Sequence, residues 1–185
     1  MKSYLTFFVF CLMAFSCDSN SKKIEETLQA MQSRPISIPY EQMECWTNDS
    51  IASVLSRTQS AFKLVHYLDS VQCTSCYLHK MSVDEELHNL EKQSHGRFLN
   101  IFIASPSKNN MKKIIAEYND SLLPMTLFID TVKAFKRLNP NIPNEFMYHV
   151  FLLDEKNNVI YVGNPLVKKS KEKIINIIKQ NIKNE

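Results

Sequence analysis

The feature that most constrains the fold is the stretch from Phe62 to Cys76, "FKLVHYLDSVQCTSC", in which a dense apolar run feeds two cysteines three positions apart. "FKLVHYLD" (62–69) has strand length and carries aromatic and branched side chains without alternation. A central strand buried on both faces has that pattern. After it, "CTSCYLHKMSVDEELHNLEKQS" places Leu78, Met81, Leu87 and Leu90 at near-helical spacing, so a helix begins at or within the cysteine motif. The residue types leave four roles open for Cys73 and Cys76: a redox pair, half of a metal site, a structural disulfide, or two inert thiols.

The rest of the chain repeats the alternation. "RFLNIFIAS" (97–105) reads as a second buried strand, "SKNNMKKIIAEYND" (107–120) as a helix with Met111, Ile114, Ile115 and Tyr118 on one face, and "LPMTLFID" (123–130) as a third strand. "TVKAFKRLN" (131–139) predicts a short helix closed by Pro140. "YHVFLLD" and "VIYVG" predict a hairpin, because Asn157-Asn158 suits the positive backbone angles of its turn. The last segment puts Ile174, Ile175, Ile178 and Ile182 on one helical face. Docking on the sheet is the expectation for it, with a membrane-surface helix as the alternative. Upstream, "KIEETLQAMQSR" predicts a short helix, and "ISI" between Pro35 and Pro39 an edge strand. The order implies an α/β fold: a mostly parallel central sheet with helices on both faces, finished by an antiparallel C-terminal hairpin.

The first sixteen residues, "MKSYLTFFVFCLMAFS", read as an export signal, too short to span a bilayer as a mature helix. Ala14 and Ser16, then Cys17 and the polar run "DSNSKK", resemble a bacterial lipoprotein signal, which implies lipidation at Cys17 and a membrane anchor facing the periplasm; the alternative is an ordinary signal peptide cleaved elsewhere. Disulfide chemistry is permitted there. The expected organisation is a signal peptide (1–16), a tether with a short helix (17–35), an N-terminal extension (36–60) and one domain (61–185). Charge is nearly balanced, +3 for 185 residues, and no dense basic stripe is present apart from the C-terminal lysines, so a nucleic-acid partner is not expected. Two glycines, Gly96 and Gly163, exclude Gly-rich phosphate loops.

Over about residues 61–180 the chain resembles the thioredoxin superfamily, specifically the exported TlpA-like and ResA-like thiol–disulfide oxidoreductases, and within it the thioredoxin-like lipoproteins of Bacteroidetes. The resemblance rests on "KLVHYLDSVQCTSC", "LPMTLFIDTVKAFKRLN" and "YHVFLLDEKNNVIYVGNP". It implies a three-layer α/β/α sandwich, Cys73 as nucleophile, and Cys76, one turn along and more buried, as the resolving thiol. Protein thiols and disulfides would be the partners, and no organic cofactor is implied. A thiolate at a helix N-terminus is stabilised by free N–H groups and the helix dipole, which suits that use. The chain departs from the family at Gln72, where tryptophan is usual, and at Met147 and Tyr148, where the family's cis-proline would fall. The family's buried acid would fall near Tyr67, with Asp69 competing.

A second function class stays open: a non-catalytic thioredoxin-fold lipoprotein serving as a binding or scaffold module, with a metal held by Cys73, Cys76 and His149. His79 extends the motif to C-x2-C-x2-H but reads as a surface residue, and His66, His88 and His95 read as structural or solvated. Cys45 reads as a free cysteine packed beside Trp46, or as a transient partner of Cys73 or of another protein's thiol.

Overall fold

The computed structural model describes residues 21–59, 61–69, 74–122 and 124–183. It falls into two units, one ending at Arg34 and one starting at Pro35. In the first, residues 21–32 form helix α1. Cys17 and the signal segment lie outside the described residues. No helix among the described residues is long and apolar enough to cross a membrane.

The second unit runs β1 (Glu44–Trp46), α2 (Ile51–Thr58), β2 (Phe62–Leu68), α3 (Thr74–Met81), α4 (Glu85–Gln93), β3 (Phe98–Ala104), α5 (Met111–Asn119), β4 (Thr126–Ile129), α6 (Ala134–Leu138), β5 (Val150–Leu153), β6 (Val159–Val162) and α7 (Lys168–Lys183). Its six-stranded sheet has the order β1-β4-β3-β2-β5-β6. β2, β3 and β4 are parallel neighbours; β5 is antiparallel to β2, β6 to β5, and β1 to β4. Four of the six strands therefore share one direction, and the expected hairpin forms one edge.

Side chains alternate across the sheet and split the core into two layers. On one face Leu64, Leu68, Phe102, Leu127, Val150 and Leu152 pack with Leu78 and Met81 of α3, Leu87 and Leu90 of α4, Ile114 of α5, and Ile174, Ile175 and Ile178 of α7. The terminal helix thus docks on the sheet. Each of its buried isoleucines contributes about 1.5–3 kcal/mol. On the other face Tyr67 meets Phe135 of α6 at 5.0 Å between ring centroids, and Phe128 meets Tyr40 at 5.1 Å. There Lys63 is buried, its Nζ donating to the carbonyls of Thr58 (3.0 Å) and Ala61 (2.6 Å).

Four local expectations are corrected. The helix after the motif is two helices, because Asp84 caps α4 by accepting from the Leu87 N–H at 3.3 Å and ends the run begun in α3. Three residues, Glu44 to Trp46, form an edge strand on β4 that was not expected. "ISI" forms no strand; instead Asn139, fully buried, stands in for a strand neighbour. Its Oδ1 accepts from Ser37 N (2.8 Å) and its Nδ2 donates to Ser37 O (2.7 Å). Finally, β5 begins at Val150 rather than Tyr148, since Phe146–Tyr148 is a 3-10 turn closed by His149 N on Phe146 O.

The hairpin turn is held by Asp154, whose Oδ1 accepts from the N–H groups of Lys156 (2.9 Å) and Asn158 (2.8 Å), and Asn157 adopts the positive φ expected of the turn, 65°. The amide of Asn139 also donates to Phe135 O at 2.7 Å, so Asn139→Ala strands both polar groups of Ser37. A loss of about 2–4 kcal/mol is expected, read as the change in midpoint of a urea denaturation at constant slope.

Candidate functional site

The site forms where the central strand β2 ends and the chain turns into α3. Asp69 follows β2, and the hydroxyl of Thr74, the first residue of α3, lies 3.5 Å from its carbonyl. The described helix thus includes the motif's residues from Thr74 onward. Cys73 and Gln72 lie outside the described residues. Cys76, in the first turn of α3, is disulfide-bonded, whereas Cys45, the other described cysteine, is free. Cys76 is exposed, because Thr74, Leu78 and Met81 take the inward face of the helix.

Beneath the motif runs a polar chain that the sequence reading did not single out as a unit. His66, at the middle of β2, is fully buried and stacks on Phe102 at 4.4 Å. Its Nδ1 lies 2.8 Å from the hydroxyl of Tyr77, the residue after Cys76, and its Nε2 lies 2.7 Å from Asn100 Oδ1. Tyr77 also reaches Asn164 Oδ1 at 3.4 Å. Burial lowers the pKa of His66 to about 4 and raises that of Tyr77, so both are neutral near pH 7. The consistent pattern has Tyr77 donating to Nδ1 and Nε2 donating to Asn100. This chain anchors the first turn of α3 to the sheet. A polar residue inside a dense apolar run was the available signal.

Beside the end of β2 lies the turn carrying the other sequence candidates. Met147 is exposed and Tyr148 buried, with Phe146 exposed next to them. No cis peptide bond occurs among the described residues. His149 is buried, its Nε2 donating to Pro143 O at 2.9 Å and its Nδ1 lying 4.0 Å from Asp69 Oδ2. Burial holds it below the usual histidine range. His79 is exposed and pairs with Glu117 of α5 at 2.8 Å. Tyr67 is buried with its pKa raised by burial, and Asp69 lines the cleft beside it.

Of the metal set Cys73, Cys76 and His149, Cys73 lies outside the described residues. Among the described residues no group of three His, Cys, Asp or Glu side chains could hold an ion. The sulfur of Cys76 is committed to a disulfide, and His149 Nε2 to a carbonyl. Cys45 sits on edge strand β1, three strands from β2, and burial raises its pKa, which withholds the thiolate.

Two parallel β-α-β steps, an antiparallel hairpin pairing on the far side of β2, and a C-x-x-C at the β2–α3 junction decide the fold. It is thioredoxin-like. No protein-family model matches the chain, and no curated protein matches it either. Among solved structures the chain is similar to a thioredoxin-like protein from Porphyromonas gingivalis (15% identity, 66% of this chain and 76% of that one, TM-score 0.43). It is likewise similar to the thioredoxin domain of a thiol–disulfide oxidoreductase from Bacteroides vulgatus (15% identity, 77% and 98%, TM-score 0.43). A third is Arabidopsis thaliana ScoI with copper bound (11% identity, 68% and 88%, TM-score 0.44). Within this thioredoxin-like fold, a cleft of about 390 Å3 opens at the end of β2, lined by Tyr67, Asp69, Ser105, Lys133, Lys136, Arg137, Asn144 and His149. A larger one, about 620 Å3, lies at the opposite end of the parallel strands, around Arg57, His88 and Glu91. The smaller cleft is the one at the end of β2, which Asp69 lines.

Proposed function

We propose that the chain is an exported, lipid-anchored thiol–disulfide oxidoreductase that exchanges electrons with protein disulfides through Cys73 and Cys76. The observation that carries this reading is Cys76, disulfide-bonded and exposed on the first turn of a helix anchored at the end of the central strand. Buried structural disulfides resist reduction, whereas exposed ones are the labile or catalytic kind. Cys73 is taken as its partner, three residues away in the sequence, since Cys45 is free and Cys11 and Cys17 belong to the signal segment. The signal-like N-terminus supports Cys17 as the lipidated residue and the periplasm as the compartment.

In the reducing direction the Cys73 thiolate attacks one sulfur of the partner's disulfide. A Cys73–partner bond forms as the partner's S–S bond breaks, and the second partner sulfur leaves as thiolate. The Cys76 thiolate then attacks Cys73 Sγ, closing the intramolecular disulfide and releasing the first partner sulfur as a second thiolate. Two electrons pass to the partner, and its thiolates take protons from solvent. Oxidation is the reverse sequence.

A titration of the full chain in graded glutathione and dithiothreitol buffers, with thiol trapping and mass spectrometry of Cys73 and Cys76, tests the reading. A reversible two-electron transition between about −270 and −120 mV is expected. A pair that stays oxidised to well below about −300 mV is a structural disulfide, and the exchange reading fails.

A further inference from the structure

The cleft of about 390 Å3 carries three cations, Lys133, Lys136 and Arg137, against one carboxylate, Asp69. None of the three stands in an ion pair among the described residues. Backbone and amide oxygens hold two of them instead. Lys136 Nζ donates to the carbonyls of Ile142 and Pro143, and Arg137 donates to Val132 O at 3.2 Å and Gln42 Oε1 at 3.4 Å. Lys133 is exposed at the head of α6. The carboxylate that is closest in sequence, Asp130, is buried and spent on capping α6, accepting from Ala134 N and Phe135 N at 2.9 Å each. The carboxylates acting on Lys136, Asp69 and Glu145, offset part of this charge, and the concave surface left with a net positive charge attracts an anionic ligand. His149 is held neutral by burial and adds polarity rather than charge.

We infer that this cleft is a recognition subsite for the partner polypeptide, selecting disulfides flanked by acidic residues. The inference rests on the exchange reading above for its chemistry, but the subsite binds carboxylates whether or not exchange follows. Asp69, on the cleft wall, is four residues before Cys73, so a carboxylate seated among Lys133, Lys136 and Arg137 lies within a few residues of a cystine presented to the motif. Tyr67, Ser105 and Asn144 supply hydrogen-bonding groups in the same wall.

The test compares the reduced full chain acting on three peptide disulfides of equal length, with glutamate, serine or lysine flanking the cystine. Reduction of the glutamate peptide is expected to be about tenfold faster than that of the serine peptide at low ionic strength, falling to about twofold in 0.5 M salt. Replacing Lys133→Gln together with Arg137→Gln is expected to bring the rate for the glutamate peptide down to about that for the serine peptide. Lys136 is left in place because it braces the 142–143 carbonyls. Equal rates for all three peptides overturn the inference. A rate for oxidised glutathione equal to that for the glutamate peptide overturns its assignment to a polypeptide. In a second arm, a cysteine-free glutamate peptide is titrated while the His149 ring resonances are followed by NMR. A saturable, salt-sensitive shift, absent with the lysine peptide, supports the subsite even where no peptide is reduced, an outcome that sinks the exchange reading alone. No shift, with no reduction, overturns both.

Discussion

Replacing Cys73 by serine is expected to bring exchange with peptide disulfides down to the uncatalysed background, because the variant has no thiolate ahead of α3 to open the partner's S–S bond. Cys76→Ser has a different signature. The first attack still occurs, but nothing closes on Cys73, so the mixed disulfide persists and migrates as a covalent adduct on a non-reducing gel. The asymmetry separates exchange from a static cross-link. A structural disulfide closing a four-residue loop restrains little of the unfolded chain, and its loss costs about 2 kcal/mol from either side, with no adduct from either variant. Exchange retained in Cys73→Ser would remove Cys73 from the chemistry. The exposure of Cys76 bears on the order of attack: a resolving thiol is normally shielded by its partner, and here α3 turns Thr74, Leu78 and Met81 inward instead. Adduct formation by Cys73→Ser rather than by Cys76→Ser would therefore reverse the assigned roles.

What the sequence made legible follows from how each element earns its stability. β2 and β3 are buried on both faces, so their apolar runs are continuous and their limits stand within a residue of the expected ones. α7 is legible for the opposite reason, since one face meets the sheet and the other meets water. β1 was hidden because Glu44-Cys45-Trp46 has no pattern of its own and becomes a strand only through β4. The break between α3 and α4 left a trace that periodicity obscured: Asp84 followed by Glu85 and Glu86 is a helix start, yet Leu78, Met81, Leu87 and Leu90 read through it. Asn139 left none, because its partner Ser37 is 102 positions away. The motif itself was legible; its surroundings were not. Lys133, Lys136 and Arg137 are close in sequence, but only the fold reveals that they line one cleft in which Asp69 is the single carboxylate of the wall.

His66 links the stability of the domain to pH, and the sign follows from its lowered pKa. The folded state holds the imidazole neutral down to about pH 4, whereas the unfolded chain protonates it near 6.5. The contribution is complete above pH 6.5 and is lost as pH falls from 6.5 to 4, reaching about 3 kcal/mol in this buried site. The geometry gives the cause. Protonating Nδ1 turns the acceptor of the Tyr77 proton into a donor, so Tyr77 must redirect its hydroxyl to Asn164 at 3.4 Å, while the attraction of Asp84 is outweighed by the cost of burying the charge. Glu91 opposes the trend: burial raises its pKa to about 7, so it adds stability as pH falls from 7 toward 4.5. Wild type alone therefore shows a shallow profile, and His66→Gln isolates the histidine. At pH 7 the variant is expected to be less stable by about 1–2 kcal/mol, having lost a matched pair of hydrogen bonds. At pH 4 that difference should vanish or invert, as the variant escapes the buried charge. Parallel urea-denaturation profiles from pH 7 to pH 4 would sink the idea. Because Tyr77 follows Cys76, amide exchange in α3 should accelerate over the same pH range, loosening the helix that carries the cysteine before the domain as a whole unfolds.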